Sequence, residues 1–278
     1  MNASSVSWKR KMIGFLGSLG VFYGTVCGVM FAAQRYLMYF PDTNISSPST
    51  YGLTGVEDVL VNSKDGTPVQ LWVSPAKPKF PTIVYFTGNA GNLSHRVSEY
   101  RVWLEKGFGL VALSYRGYGK SKGSPTEQGL YDDARTAVEY AQKTLNVPDN
   151  MIVLYGESLG TGVATQMATE YPLGALVLEA PYTSTADRGA ELYPYLPVKL
   201  IMKDQFRSSE KIGSVHMPVQ IFHGEKDTII PVAHGRKMLE LANDPKEGNF
   251  YPDTGHVDFD IEEQMQKMIA FLTRHHVF

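Results

Sequence analysis

A single cysteine, Cys27, occurs in 278 residues, which excludes an intramolecular disulfide and leaves the redox compartment unread. Basic charge is not in excess either: 26 Lys and Arg stand against 28 Asp and Glu, for a formal net charge of -2. Nucleic-acid binders carry a basic face or stripe, so nucleic acid is not an expected partner. No block of like charges marks a disordered tail. No group of His, Cys, Asp and Glu has the spacing of a metal site, and internal repeats are missing. One more absence is informative in itself: between Ile13 and Ala33 there is no charged residue.

At about 1.5 Å per residue, that stretch covers the roughly 30 Å hydrocarbon core of a bilayer. Lys9, Arg10 and Lys11 precede it, and such a basic flank stays on the cytoplasmic side. Trp8 at one end, with Tyr36 and Tyr39 at the other, suits the two interfaces. The expectation is a single-pass membrane anchor with a cytoplasmic N-terminus and a periplasmic or otherwise extracytoplasmic catalytic domain. A cleaved signal peptide is the alternative, but its apolar core is shorter and it needs small residues where Met30 and Phe31 stand. Gly20, Gly24, Gly28 and Ala32 recur every four residues and would form a small-residue stripe. A second helix could approach there, which makes a homodimer an expectation; the general abundance of glycine in membrane helices is the plainer account. Residues 1–39 are thus read as tip and anchor, 40–50 (FPDTNISSPST) as a linker, and 51–278 as a catalytic domain.

In that domain, apolar runs bounded by turn residues alternate with helical patterns. The expected strands are Val56–Val61, Val69–Ser74, Thr82–Phe86, Gly109–Ser114, Met151–Tyr155, Ala175–Leu178, Val219–Phe222 and Gly248–Tyr251. Lys64-Asp65-Gly66 joins the first two as a hairpin. Expected helices are Leu93–Lys106, Gln128–Leu145, Leu159–Tyr171, Val232–Ala242 and Ile261–His275. A hairpin followed by repeated strand–helix units specifies an α/β fold: a mostly parallel eight-stranded sheet with helices on both faces. Ligand sites in such sheets lie beyond the carboxyl ends of the strands.

Chemistry-bearing residues fall at those ends. Gly156-Glu157-Ser158-Leu159-Gly160 separates a strand from a helix, as a G-x-S-x-G nucleophile elbow must. Ser158 is the candidate nucleophile, held where a helix start favours developing negative charge. It needs a base. Of seven histidines, His256 alone sits in a loop between the last strand and the last helix. Asp227, in Gly224-Glu225-Lys226-Asp227 after the preceding strand, is the candidate acid that orients it. Glu225 is a weaker rival, and Asp258 and Asp260 fit caps of the last helix better. Two backbone donors are needed for an oxyanion: Leu159 N–H, and an N–H from the Gly-rich loop Thr87–Asn92, assigned to Asn89 with Ala90 as rival. No Lys-Ser or Lys-Thr follows that loop, which argues against phosphate binding. Arg116 fits a buried structural hydrogen-bonder better than its alternative, a binder of an anionic substrate group, and Leu192–Pro197 is expected to border the acyl pocket, too short for a large lid.

Taken together, Tyr85–Asn92, Tyr115–Ser121, Gly156–Gly162, Gly224–Asp227 and Gly255–His256 resemble the Bem46-like branch of the α/β-hydrolases, and Tyr39-Phe40-Pro41 matches a segment that follows the anchor there. The resemblance covers nearly the whole chain. It implies a Ser158–Asp227–His256 triad, a minimal cap and kinship with animal depalmitoylating hydrolases. One departure is Thr87, where the family commonly has His before the Gly-Asn loop. The expected activity is serine hydrolysis of an acyl ester or thioester, lipid-derived in view of the anchor, with no cofactor. A peptidase on the same triad and a non-catalytic, membrane-tethered binding protein are the rivals.

Overall fold

A computed structural model describes residues 3–278. Met1 and Asn2 of the expected cytoplasmic tip, and the Lys9 side chain of the basic flank, lie outside what it describes. In chain order the elements are α1 (Ala3–Met38), β1 (Phe40–Pro41), β2 (Glu57–Asn62), β3 (Pro68–Ser74), β4 (Thr82–Phe86), β5 (Ala90–Gly91), α2 (Val97–Lys106), β6 (Gly109–Ser114), α3 (Glu127–Glu139), β7 (Ile152–Glu157), α4 (Leu159–Glu170), β8 (Ala175–Glu179), α5 (Thr185–Leu192), α6 (Val198–Ile201), β9 (Val219–Gly224), α7 (Val232–Leu241), β10 (Lys246–Tyr251) and α8 (Ile261–Arg274).

Eight strands form one sheet in the order β10-β9-β8-β7-β4-β6-β3-β2. β3 pairs antiparallel with β2 and β6, and all other neighbours are parallel. Side chains alternate across a strand, so each central strand feeds two cores. From β4, Val84 and Phe86 join Leu130, Val138, Val163 and Met167 of α3 and α4 on one face. Ile83 and Tyr85 join Tyr100, Trp103, Met265 and Phe271 of α2 and α8 on the other. Both faces are thus dry, which is why β4, β6, β7, β8 and β9 read as apolar runs rather than alternating ones. Each large apolar side chain removed from water this way stabilises the fold by roughly 1.5–3 kcal/mol before entropy is charged against it.

Helix ends follow local chemistry. The Asp260 side chain accepts the Glu263 N–H at 3.0 Å and starts α8, as its sequence position predicts. Thr126 does the same for α3, accepting Gly129 N–H at 3.0 Å. Beyond Glu139 the expected helix continues as one π-type turn, Tyr140–Thr144.

The first helix departs from this economy. From Arg10 to Met38 it is long and apolar enough to cross a membrane, with a mean hydropathy of 1.7 in its apolar window. Ile13, Phe15, Leu16, Leu19, Val21 and Phe22 are all exposed. An apolar surface of that extent is compatible with a membrane anchor. Gly20, Gly24 and Gly28 belong to this uncovered part, with nothing near them. The helix is nevertheless not detached from the domain. Arg35 makes a bidentate pair with Asp204 (2.8 and 3.1 Å), and Gln34 bonds the backbone of Ile201 and Lys203. Residues 40–50 are likewise tied down. β1 pairs with β5, Asp42 N–H reaches Gly91 O, and Asn92 Nδ2 donates to Asp42 and Asn44.

Candidate active site

Ser158 occupies the turn between β7 and α4 with φ 50° and ψ -115°. A non-glycine residue there stores roughly 1–3 kcal/mol of backbone strain. Two features impose it. Ser158 N–H is held by Glu179 O at 2.9 Å, which fixes the turn against β8. Gly160 lets α4 lie directly on β4: a Cβ at that position would be 2.0 Å from Phe86 O. The side chain is thereby raised above the carboxyl edge of the sheet.

The other two candidates meet it there. His256 Nε2 lies 2.9 Å from Ser158 Oγ, and His256 Nδ1 lies 2.7 Å from Asp227 Oδ2. These contacts join residues from loops after three strands, β7, β9 and β10. Gly224 makes the last approach possible, because a Cβ on it would be 2.1 Å from Gly255 O, next to His256. Lys226 N–H also bonds Thr254 O at 3.0 Å, tying the two loops together. Glu225 points elsewhere and pairs with Arg236.

Asp227 has no exposed side-chain surface. Burial alone would raise its pKa, but hydrogen bonds from His223, His256 and the Ile230 N–H outweigh that and hold it well below the usual carboxylate range. Its Oδ1 accepts the Ile229 and Ile230 N–H groups, each at 2.8 Å. A carboxylate so placed stays ionised, keeps His256 Nδ1 protonated and leaves Nε2 free to accept from Ser158.

His223 is a contributor that the sequence motifs do not single out. It is fully buried, with Nε2 2.8 Å from Ile230 O and 3.3 Å from Asp227 Oδ2. A donor at Nε2 therefore supports both the acid and the loop that wraps it. The signal was its position at the end of β9, four residues before Asp227. His95, just after the Gly-rich loop, stands 3.7 Å from Asp42.

The Gly-rich loop faces the serine from β4. A Cβ added to Gly88 would stand 3.6 Å from Ser158 Cβ. Asn89 and Leu159 line the same cavity as Ser158, whereas Ala90 does not. Neither the Asn89 nor the Leu159 N–H has a backbone acceptor among the described residues. The Asn89 peptide is held by Phe40 N–H and the Tyr118 hydroxyl, both donating to its carbonyl, and its side chain donates to Met38 O at 2.9 Å. Arg116 is occupied structurally, bound to Asp133 and Asp65.

Behind the elbow lies a buried acidic pair. Glu157 is clamped by Arg96 Nε and Nη2 and by the Tyr85 hydroxyl. Glu179 takes hydrogen bonds from Tyr155 and Gln264. Burial first, and then the Glu157 charge, push the Glu179 carboxyl up to about 8.

In front of Ser158 is a cavity of about 270 Å³. Its walls are α5, α6 and their connection (Leu192, Tyr193, Leu196, Val198), together with Met30, Gln34, Leu37 and Met38 of α1. The expected border at Leu192–Pro197 is therefore part of it. Among the described residues, Arg188 is the one charged residue in the lining.

This sheet order and elbow define an α/β-hydrolase. A family model described as serine aminopeptidase, S33, matches residues 83–203. An uncharacterised protein of Mycobacterium tuberculosis is 38% identical over 233 residues, 82% of each chain. The α/β-hydrolase domain-containing protein WAV2 of Arabidopsis thaliana is 30% identical over 83% of this chain and 84% of its own. Protein bem46 of Schizosaccharomyces pombe is 29% identical over 87% and 86%. Among solved structures, the Pyrococcus furiosus esterase Pf2001 shares the fold, with a TM-score of 0.69, 20% identity and coverage of 85% and 97%. The chain belongs to the Bem46-like branch of the α/β-hydrolases.

Proposed function

We propose that the protein is a membrane-anchored serine hydrolase that cleaves acyl esters or thioesters. The observation that carries this is the continuous hydrogen-bonded path Asp227–His256–Ser158, at 2.7 and 2.9 Å, opening on an apolar cavity. Ser158 Oγ attacks the acyl carbonyl while His256 Nε2 takes its proton, and Asp227 stabilises the imidazolium that forms. The carbonyl oxygen, now negative, is held by the Leu159 and Asn89 N–H groups. His256 returns the proton to the leaving alkoxide or thiolate as its bond to carbon breaks. Water then attacks the acyl-enzyme, with His256 again as base, and releases the carboxylic acid. No cofactor enters these steps.

An aminopeptidase must hold its substrate's terminal ammonium, which a carboxylate does best. The cavity lining contains no Asp or Glu. Esters and thioesters with an apolar acyl part fit it better. Basic Arg10 and Lys11 before the span favour a cytoplasmic N-terminus and a catalytic domain across the membrane.

The test is hydrolysis of p-nitrophenyl esters by the full chain in lipid nanodiscs, beside Ser158→Ala. A loss of about 10³-fold or more in the variant is expected. Equal turnover by both, in folded samples, would remove Ser158 from the chemistry.

A further inference from the structure

We propose that α1 is one wall of the acyl channel, and that the substrate is an acyl ester or thioester residing in the adjoining half of the bilayer, its chain passing from lipid along α1 to Ser158. This rests on the serine-hydrolase reading above and names the substrate's origin.

The cavity has a direction. Its α1 residues run from Met38, beside Asn89, back through Leu37 and Gln34 to Met30. Eight residues of helix are about 12 Å of wall, heading toward the membrane span. A chain bound there lies parallel to the helix, as a lipid tail does. With a volume of about 270 Å³ the cavity accommodates a medium-length acyl chain, and a longer chain trails from the Met30 end.

The depth of the cap agrees. Counted from Lys11, about 20 residues cross the hydrocarbon core and end near Phe31. At that level lies a polar collar: Lys203 over the Phe31 ring, Gln34 on Ile201 and Lys203, and Arg35 on Asp204. Yet the Tyr23 hydroxyl donates to Tyr195 O at 2.9 Å. Tyr23 is about eight residues, roughly 12 Å, inside the boundary. The α5–α6 connection therefore reaches into the lipid, where its free carbonyl needs such a donor. The side chains presented there by the connection and its two flanking helices suit that place: Leu192, Tyr195 and Leu200 are 54%, 65% and 85% exposed, an arrangement costly in water.

The experiment uses the full chain in phosphatidylcholine nanodiscs. Wild type, Met30→Trp, Leu192→Trp and Ser158→Ala are compared on p-nitrophenyl decanoate and p-nitrophenyl acetate. Each Trp fills the channel from a different wall, and both positions are partly exposed, so folding tolerates the added bulk. The expected result is a fall of about tenfold or more in the decanoate-to-acetate ratio of kcat/KM for each Trp variant. A ratio within about twofold of wild type in both, with Ser158→Ala still dead on both esters, overturns the channel and leaves the serine reading standing. Turnover by Ser158→Ala overturns the serine reading instead. A nitroxide on Leu200→Cys, in a Cys27→Ser background, gives a readout independent of turnover. Oxygen-rich, nickel-poor collisions are expected, and nickel access would place the cap in water and refute the proposal.

Discussion

Replacing Asp227 with Asn tests the whole relay, because the structure dictates how the amide would sit. Oδ1 accepts the N–H groups of Ile229 and Ile230 at 2.8 Å, so the amide oxygen must take that side. The NH2 group then faces His256 Nδ1, 2.7 Å from the original Oδ2. Two donors cannot face each other, so His256 shifts its proton to Nε2. That nitrogen now donates toward Ser158 Oγ rather than accepting from it, and the serine loses its base. The size is almost the same, so little packing is lost. By the general behaviour of such triads, kcat should fall about 10⁴-fold with KM little changed. The assay is p-nitrophenyl ester turnover in nanodiscs, with nitrogen NMR of His256 to read the tautomer. A loss under about tenfold, with the Nε2–H tautomer present, would refute the relay. Acid stability supplies a second check. The Asp227 pKa is lowered by folding, so its stabilisation is present above the unfolded value and lost as pH falls through the acid range. Asp227→Asn should therefore flatten the decline in Tm below about pH 4.

His223→Phe should lower kcat and shift the pH profile of kcat/KM, because Ile230 O and Asp227 both lose a donor; His223→Gln, which keeps one, should recover part, and a profile identical to wild type in both would deny His223 any positioning role. Gly160→Ala should cost at least about 3 kcal/mol in denaturant unfolding, since its Cβ would sit 2.0 Å from Phe86 O, and an unchanged midpoint would show that the elbow has slack. Glu179→Gln should flatten the Tm–pH curve: a carboxyl raised to about 8 favours the fold below its unfolded value and loses that contribution as pH rises through 8, so wild type should drop more than the variant between pH 5 and 9. Equal drops would mean that the buried Glu179 carboxyl does not titrate as its surroundings require.

What the sequence could show was set by how local each constraint is. The strand Ile152–Glu157, the Gly-flanked Ser158 and the helix after it are contiguous, so the elbow is readable as a string. Asp227 and His256 were placed by a topological rule, since sheet order puts the loops after β9 and β10 beside the serine. His223 escaped because its role depends on facing Asp227 across one turn, and an apolar strand end is the commoner fate of such a residue. The anchor shows the limit most plainly. Its lack of charge reads directly as a membrane span, and that reading separates it from the domain at residue 39. Nothing in residues 30–38 announces that Met30 and Met38 share a cavity with Leu192 and Ser158, because those contacts join positions more than a hundred residues apart through shape alone. The same long-range contact has a chemical consequence. Asn89, whose N–H is assigned to the oxyanion, is fastened by its side chain to the last carbonyl of α1 and by its own carbonyl to Phe40. The apolar first helix thus also fastens the loop that carries Asn89. Cutting the chain at the linker would remove the apolar helix, its side of the cavity and the Met38 hold on Asn89 together.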